Sequence, residues 1–124
     1  MYTKALLTDL YQLTMMQGLF FEGKHEQQCV FDRYYRSNPF KGGYTVVAGL
    51  EHLIDYVENI HFSDDDLAYL KGTGFFRQEF LDYLKELRFT GDIYAMPEGT
   101  VAFPQEVLFA FVFILPIIWA IYSS

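Results

Sequence analysis

A chain of 124 residues is long enough for one domain that buries roughly two-thirds of its unfolded surface. Its net charge of −7 argues against a nucleic-acid-binding protein, because no basic stripe is available to neutralise phosphates. Aromatic residues make up 19% of the chain, more than one small core requires, so a large interface or an exposed aromatic surface is expected.

The residues before Asp9 include no apolar run, so the sequence predicts no signal peptide and a cytoplasmic protein. The single cysteine, Cys29, cannot form an internal disulfide, and its position in an apparent strand favours a structural thiol over a reactive one. Three scattered histidines and one cysteine lack the spacing of zinc ligands, so no metal site is predicted.

The first predicted helix begins at Thr8 or Asp9, either of which can cap the unsatisfied N–H groups of its first turn. Three leucines recur at helical spacing, and the pattern ends near one of two glycines: Leu6, Leu10 and Leu13, then Gly18 or Gly23. Asp9 and Tyr11 place a carboxylate and a phenol at the start of this largely apolar helix. A site that binds a flat polar ligand could use both, whereas a helix cap and a core tyrosine are the alternative.

Residues 29–36 are predicted to form a strand. Alternation places two sets of side chains on opposite faces: Val30, Asp32, Tyr34 and Arg36 on one, and Phe31, Arg33 and Tyr35 on the other. Charges occur on both faces, so neither is predicted to be a plain core face. Arg36 can form paired hydrogen bonds with a carboxylate or a phosphate, and an ion pair with Asp32 is the alternative. Residues 38–43 form a loop by composition.

The second half of the chain predicts three helices. The first begins after a short strand at residues 44–48 and has an uninterrupted apolar stripe: Leu50, Leu53, Ile54 and Val57. The second begins at Ser63, where residues 64–66 are acidic; they suit a helix start better than a metal site, because adjacent residues on one turn point in different directions. The third carries an aromatic-rich stripe: Phe76, Phe80, Tyr83, Leu84 and Leu87.

A strand at residues 93–96, a tight turn at 97–99 and a returning strand at 100–103 predict a hairpin. Helices grouped between strands predict an α+β fold rather than a regular βαβ alternation.

Residues 107–122 are apolar, and all charged residues lie at or before Glu106. The run is shorter than the about 20 residues of a membrane-spanning helix, and Pro116 interrupts it. Four interpretations remain: a buried strand continued by a helix, a tail anchor, a segment that docks on another domain, and a shifted reading frame after a truncation.

Four segments, in order, resemble nicotinate phosphoribosyltransferases: residues 6–15 (LLTDLYQLTM), 34–44 (YYRSNPFKGGY), 48–51 (AGLE) and 89–99 (FTGDIYAMPEG). The resemblance assigns residues 1–106 to the N-terminal α/β sandwich-like domain of a type II phosphoribosyltransferase. Residues 107–124 are an apolar tail that departs from the family pattern. The barrel domain of the family would lie beyond this chain.

The resemblance implies an enzyme of NAD salvage, which joins nicotinate to phosphoribosyl pyrophosphate and couples the step to ATP hydrolysis. The complete enzyme would use ATP and Mg²⁺ and act as a homodimer, whereas this segment alone is expected to bind no cofactor, nucleic acid or membrane and to be inactive. A phosphorylated histidine of the barrel would carry the ATP coupling, and none of His25, His52 and His61 matches it. No catalytic residue is therefore assigned to this chain.

By the same resemblance, Tyr11 would reach nicotinate in the active site of a partner subunit. Asp9 would be repelled by the nicotinate carboxylate, so a contact with the ring nitrogen, a ribose hydroxyl or a base of the partner subunit is expected instead. Arg36 is the third candidate for substrate binding. A truncated non-catalytic module, binding a partner or anchored to a membrane by its tail, is the alternative function.

Overall fold

The computed structural model describes residues 4–114. Four helices lie in this part of the chain: α1 (Leu10–Phe21), α2 (Leu50–Asn59), α3 (Asp64–Thr73) and α4 (Gln78–Glu86). The strands are β1 (Gln28–Arg33), β2 (Thr45–Val46), β3 (Asp92–Ala95), β4 (Val101–Ala102) and β5 (Phe109–Ile114). Short 3-10 turns occupy Lys4–Leu6 and Pro39–Lys41. The α+β class is confirmed, and no closed barrel is formed within residues 4–114.

The helix boundaries follow local signals in the sequence. Asp9 is the N-cap of α1, and Ser63 caps α3 by accepting a 3.1 Å hydrogen bond from the Asp66 N–H. The Asp66 carboxylate in turn accepts a 2.9 Å hydrogen bond from the Ser63 N–H, which confirms the cap interpretation of the acidic run. Gly74 ends α3 with a left-handed φ of 78°, a conformation that glycine adopts without a steric cost.

Two sheets form within residues 4–114, and their pairing corrects the predicted hairpin. The larger sheet has the order β1-β5-β3 with antiparallel neighbours, and the smaller sheet pairs β2 with β4. The strands on either side of the turn at residues 97–99 therefore belong to different sheets, and the hairpin prediction is wrong. The longer, apolar β5 gives β3 four paired residues, whereas β4 has only two strand residues to offer.

The larger sheet depends on the apolar segment that follows Glu106. β5 is the central strand, so its backbone groups pair with β1 on one side and β3 on the other. Residues 109–114 thus form a strand, as the first of the four interpretations of the apolar segment predicts for its beginning. Residues 115–124 lie outside the described part of the chain, and the assignment of 107–124 as a tail departing from the family stays a prediction.

The core lies between the helices and one face of the larger sheet. Its fully buried side chains include Phe80, Met16, Leu70 and Leu84. The sheet contributes Cys29, Phe31, Ile93 and Phe109, which pack against these helices. One face of β1 is therefore a core face, contrary to the prediction, because its charges lie on the outer face or at the end of the strand. Burial raises the pKa of the half-buried Cys29 thiol.

Candidate functional site

Helix α1 is held to the domain through its inner face. Gln12, Leu13 and Met16 are buried there, and burial of these side chains fixes the rotation of the helix about its own axis. The Gln12 Oε1 atom accepts hydrogen bonds from the Thr8 hydroxyl and, at 3.0 Å, from the Asp9 N–H. The opening turn is thereby connected to the core through a buried glutamine, and Asp9 completes a capping box with it.

The middle of α1 is connected to the segment between α3 and α4. The side-chain amide of Gln17 donates to the Phe75 carbonyl oxygen at 2.9 Å and accepts from the Arg77 N–H at 2.8 Å. Both hydrogen bonds use backbone groups of the partner segment, so they define the position of α1 along its axis. The direction in which its outer side chains point is therefore set by the core and by Gln17 together.

Tyr11 lies on the outer face of α1, with 55% of its surface exposed. Leu10 and Met15 are exposed on the same helix, and with Tyr11 they form the outer stripe of α1. Leu7, which precedes the helix, is exposed as well. Leu10 was expected to share the buried face with Leu6 and Leu13, but the core contacts come from positions 12, 13 and 16 instead. Tyr11 is therefore exposed to solvent on the outer face of α1.

Arg36 is positioned by a clamp at the base of the loop that follows β1. The half-buried Tyr35 places its hydroxyl 2.8 Å from the Ala102 carbonyl oxygen and 3.0 Å from Asn38 Oδ1. Its own carbonyl oxygen accepts a 2.9 Å hydrogen bond from the Gln105 N–H. Because neighbouring side chains of an extended segment point in opposite directions, the inward Tyr35 leaves Tyr34 and Arg36 exposed.

The tip of the same loop exposes an aromatic side chain. Phe40 is fully exposed and has a left-handed backbone conformation, φ 56° and ψ 25°. Lys41 follows with φ 56°. This conformation costs a residue with a Cβ roughly 1–2 kcal/mol, and Phe40 gains no burial within the domain in return. The sequence alone did not indicate a role for Tyr35 or Phe40. For Phe40 a signal was available, because it is an apolar residue between Pro39 and Lys41 in a loop.

The three predicted site residues lie on two different elements. Asp9 and Tyr11 lie on the first turn of α1, whereas Arg36 lies in the loop after β1. Among the described residues, no hydrogen bond, ion pair or ring contact joins Tyr11 to Arg36, and Arg36 forms no ion pair with Asp32. Their roles in substrate binding stay predictions, since a ligand or a second protein surface would have to connect them.

Glu98 has a structural role that the sequence did not reveal. Its Oε1 atom accepts a 3.2 Å hydrogen bond from the Glu51 N–H in the first turn of α2. The N-cap of α2 is Gly49, which has φ 99° and no side chain to cap the helix. A carboxylate 47 positions along the chain thus supplies the cap and faces the positive end of the helix dipole.

Two histidines have contacts within the domain. His25 packs against the rings of Phe20 and Tyr83, with centroids 4.9 and 5.2 Å away. His61 Nδ1 lies 2.9 Å from the Asn59 carbonyl oxygen. Residues 4–114 contain no group of three or more His, Cys, Asp or Glu side chains arranged to hold a metal ion. None of the helices in this range is both long and apolar enough to cross a bilayer.

Comparison with known proteins gives one consistent result. Residues 6–112 match the family model of the nicotinate phosphoribosyltransferase (NAPRTase) N-terminal domain. The chain is 43% identical over 77 residues to the nicotinate phosphoribosyltransferase of Bacillus subtilis, a match that covers 62% of this chain and 16% of that protein. It is 47% identical over 68 residues to the Caenorhabditis elegans nicotinate phosphoribosyltransferase, covering 55% of this chain and 12% of the relative.

The fold matches as well. A crystal structure of human nicotinic acid phosphoribosyltransferase superposes with a TM-score of 0.85 and 28% sequence identity. The superposition covers 95% of this chain and 24% of the human chain. The chain therefore spans about a quarter or less of the proteins that it matches.

Proposed function

This chain belongs to the nicotinate phosphoribosyltransferase N-terminal domain family, and on that premise we propose that it supplies the N-terminal part of a nicotinate phosphoribosyltransferase. The complete enzyme joins nicotinate to phosphoribosyl pyrophosphate, giving nicotinate mononucleotide and pyrophosphate in NAD salvage. The names of the relatives in bacteria and in animals support this activity. The alternative of a non-catalytic or membrane-anchored module is not favoured by these relatives.

The exposed phenol of Tyr11 is the observation that carries the proposal. An aromatic side chain on a helix whose inner face is fixed by the core can stack against a planar ring without reorganising the domain. Such stacking contributes about 0.5–1.5 kcal/mol beyond the burial of area. In the proposed enzyme, Tyr11 stacks on the pyridine ring of nicotinate in the active site of the partner subunit of a homodimer.

Arg36 and Asp9 have secondary roles in this proposal. The exposed guanidinium of Arg36 binds a phosphate of phosphoribosyl pyrophosphate through paired, charge-assisted hydrogen bonds. Asp9, at the N-cap of α1, lies two residues before Tyr11 and contacts the ribose or a basic group of the partner subunit. ATP and Mg²⁺ bind elsewhere in the complete enzyme, which acts in the cytoplasm, and no step is assigned to a metal on residues 4–114.

The test is complementation. The chain is coexpressed with the part of the Bacillus subtilis relative that follows the matched segment, and formation of nicotinate mononucleotide is measured. We expect product with the natural chain, at least a tenfold loss of kcat/KM with Tyr11→Ala, and retention of most activity with Tyr11→Phe, which keeps the ring.

Tyr69→Ala is the control, because Tyr69 is another exposed tyrosine and lies on a different helix, α3. Unchanged activity of Tyr11→Ala in a productive complex would contradict the role of Tyr11. A stable complex that forms no product would contradict the proposed reaction.

A further inference from the structure

Gln12 is a polar side chain in apolar surroundings. With 4% of its surface exposed, it is the one polar or charged residue that is buried in the part of the chain that the structure describes. It lies next to Leu13 and one turn before Met16, and both of these belong to the hydrophobic core. Burial of a side-chain amide is unfavourable unless its polar atoms are hydrogen-bonded, so core packing alone would favour an apolar residue at this position.

The hydrogen bonds of Gln12 connect it to the residues that precede the helix. Its Oε1 atom accepts from the Thr8 hydroxyl and, at 3.0 Å, from the Asp9 N–H. Its backbone N–H donates to the Asp9 carbonyl oxygen, also at 3.0 Å. One residue therefore binds both backbone polar groups of Asp9, and its buried side chain anchors this arrangement in the core.

Tyr11 lies within the turn that these hydrogen bonds close. It is the second residue of α1, between the N-cap Asp9 and Gln12. Successive side chains of a helix are about 100° apart around the axis, so the inward Gln12 places Tyr11 on the outer face. The Tyr11 carbonyl oxygen also accepts a 2.9 Å hydrogen bond from the Thr14 hydroxyl.

The first turn of a helix unwinds easily, because its N–H groups have no acceptor within the helix. Without the Gln12 amide, the Asp9 N–H loses its acceptor, and the turn that carries Tyr11 loses its attachment to the core. An unwound turn would let the ring of Tyr11 sample many directions. That freedom would have to be given up on stacking against a ligand, which weakens binding.

We propose that Gln12 is a positioning residue of the nicotinate site: its buried amide holds the first turn of α1 in one conformation and thereby presents the Tyr11 ring to the substrate. The inference rests on the proposed function for the identity of that substrate. It deepens the function by making the affinity for nicotinate, and not that for phosphoribosyl pyrophosphate, depend on a core residue. Gln12 itself is too deeply buried to contact the substrate.

The first part of the experiment uses the free chain and NMR. Gln12→Met keeps an unbranched side chain of similar length and removes the amide oxygen. We expect the Hα–Hβ couplings of Tyr11 to indicate one rotamer in the natural chain and an average over rotamers in Gln12→Met. The N–H of residue 12 should exchange with solvent at least about tenfold faster in the variant.

The second part measures kinetics on the complex that the complementation test produces. Gln12→Met should raise the KM for nicotinate at least about fivefold and change kcat and the KM for phosphoribosyl pyrophosphate less than about twofold. Gln12→Glu, whose carboxylate also accepts from an N–H and a hydroxyl, should keep the KM for nicotinate within about twofold of the natural value.

Two further variants separate positioning from a general loss of stability. Ser63→Ala removes the cap of α3, so it should lower the Tm and leave both KM values unchanged. In the Tyr11→Ala background, Gln12→Met should change the KM for nicotinate by less than about 1.5-fold, because it acts through the ring that is missing. Thr8→Val removes one donor to Gln12 and replaces Gln12→Met if that variant does not fold, with an expected rise in KM of about twofold.

Three results would overturn the inference: equal Tyr11 couplings in the natural chain and Gln12→Met, equal KM values for nicotinate, or an undiminished effect of Gln12→Met in the Tyr11→Ala background. A natural complex that forms no nicotinate mononucleotide would instead contradict the proposed function. The Tyr11 couplings would then still decide whether Gln12 fixes that side chain.

Discussion

The hydroxyl of Tyr35 lies 2.8 Å from the carbonyl oxygen of Ala102, a residue 67 positions further along the chain. Ala102 is fully buried in β4, so this hydrogen bond fastens the loop after β1 to the small sheet. Two backbone hydrogen bonds reinforce the connection, from the Gln105 N–H to Tyr35 and from the Leu108 N–H to Arg33. The exposed side chains of Tyr34, Arg36 and Phe40 all depend on this attachment for their positions.

Replacing Tyr35 by Phe removes the hydroxyl and retains the ring. We expect a lower Tm, because the buried Ala102 carbonyl oxygen loses its donor, and faster hydrogen exchange at the Gln105 N–H. Thermal unfolding and amide exchange by NMR measure the two effects. Tyr34→Phe, at the exposed neighbouring position, is the control, and unchanged exchange at Gln105 in Tyr35→Phe would contradict the clamp.

The hydroxyl of Tyr83 is buried and has no hydrogen-bond partner among the described residues. Tyr83→Phe should therefore leave the free energy of unfolding unchanged or raise it by about 1 kcal/mol at pH 7, because an unsatisfied polar group is removed. Urea unfolding measures the change, with the exposed Tyr69→Phe as the control. A loss of more than about 1 kcal/mol would show that the hydroxyl has a partner.

The raised pKa of Tyr83 predicts how the free energy of unfolding changes with pH in the alkaline range. Burial, together with the Glu26 carboxylate, raises the pKa of Tyr83 from its usual value near 10 to about 12. The folded chain then holds the phenol proton more tightly than the unfolded chain. The contribution to stability is complete below pH 10 and is lost as the pH rises through about 12. Unfolding curves between pH 8 and 12 should show a smaller decline for Tyr83→Phe than for the natural chain.

Gln17→Ala should detach the middle of α1 from the segment between α3 and α4. Two hydrogen bonds, to the Phe75 carbonyl oxygen and from the Arg77 N–H, are lost together, and the free energy of unfolding should fall by about 1–2 kcal/mol. Gln78→Ala, which removes only the exposed contact with Asp82, should change it by less than about 0.5 kcal/mol. Equal effects of the two variants in urea unfolding would refute the special role of Gln17.

Glu98 stabilises the start of α2 both through its charge and through its hydrogen bond, and two substitutions separate these contributions. Glu98→Gln keeps the hydrogen bond to the Glu51 N–H and removes the charge. It should therefore lower the free energy of unfolding by about 0.3–1 kcal/mol at low salt and by less at high salt. Glu98→Ala removes both and should cost more at either salt concentration. A Glu98→Ala variant as stable as the natural chain would show that α2 needs no such cap.

Most of the local structure could be predicted from the sequence. The starts of α1 and α3 follow from Asp9, one of the two predicted caps of the first helix, and from Ser63, because caps act within one helical turn. The stripe of α4 was also predicted, although Leu81 was missed, because amphipathic spacing needs no knowledge of the partner surface. The family resemblance came from contiguous motifs and is confirmed by the match over residues 6–112.

The candidate site was predicted only in part. Residue chemistry and the resemblance predict Tyr11, Asp9 and Arg36 as substrate-binding residues, and these roles stay predictions. The exposure of Leu10 and the inward position of Gln12 were not predicted, because a hydrophobicity pattern does not show which apolar positions the core has room to bury.

The sequence by itself determined where α1 and α3 begin and to which family the chain belongs, since caps, periodicity and motifs act through neighbouring residues. Only the tertiary structure decided that β3 pairs with β5 and β4 with β2, that Glu98 caps α2, and that Tyr35 holds the loop exposing Arg36 and Phe40. Three of these four contacts, all except the β3–β5 pairing, join residues 47 or more positions apart, and each depends on how much surface the whole chain can bury at once.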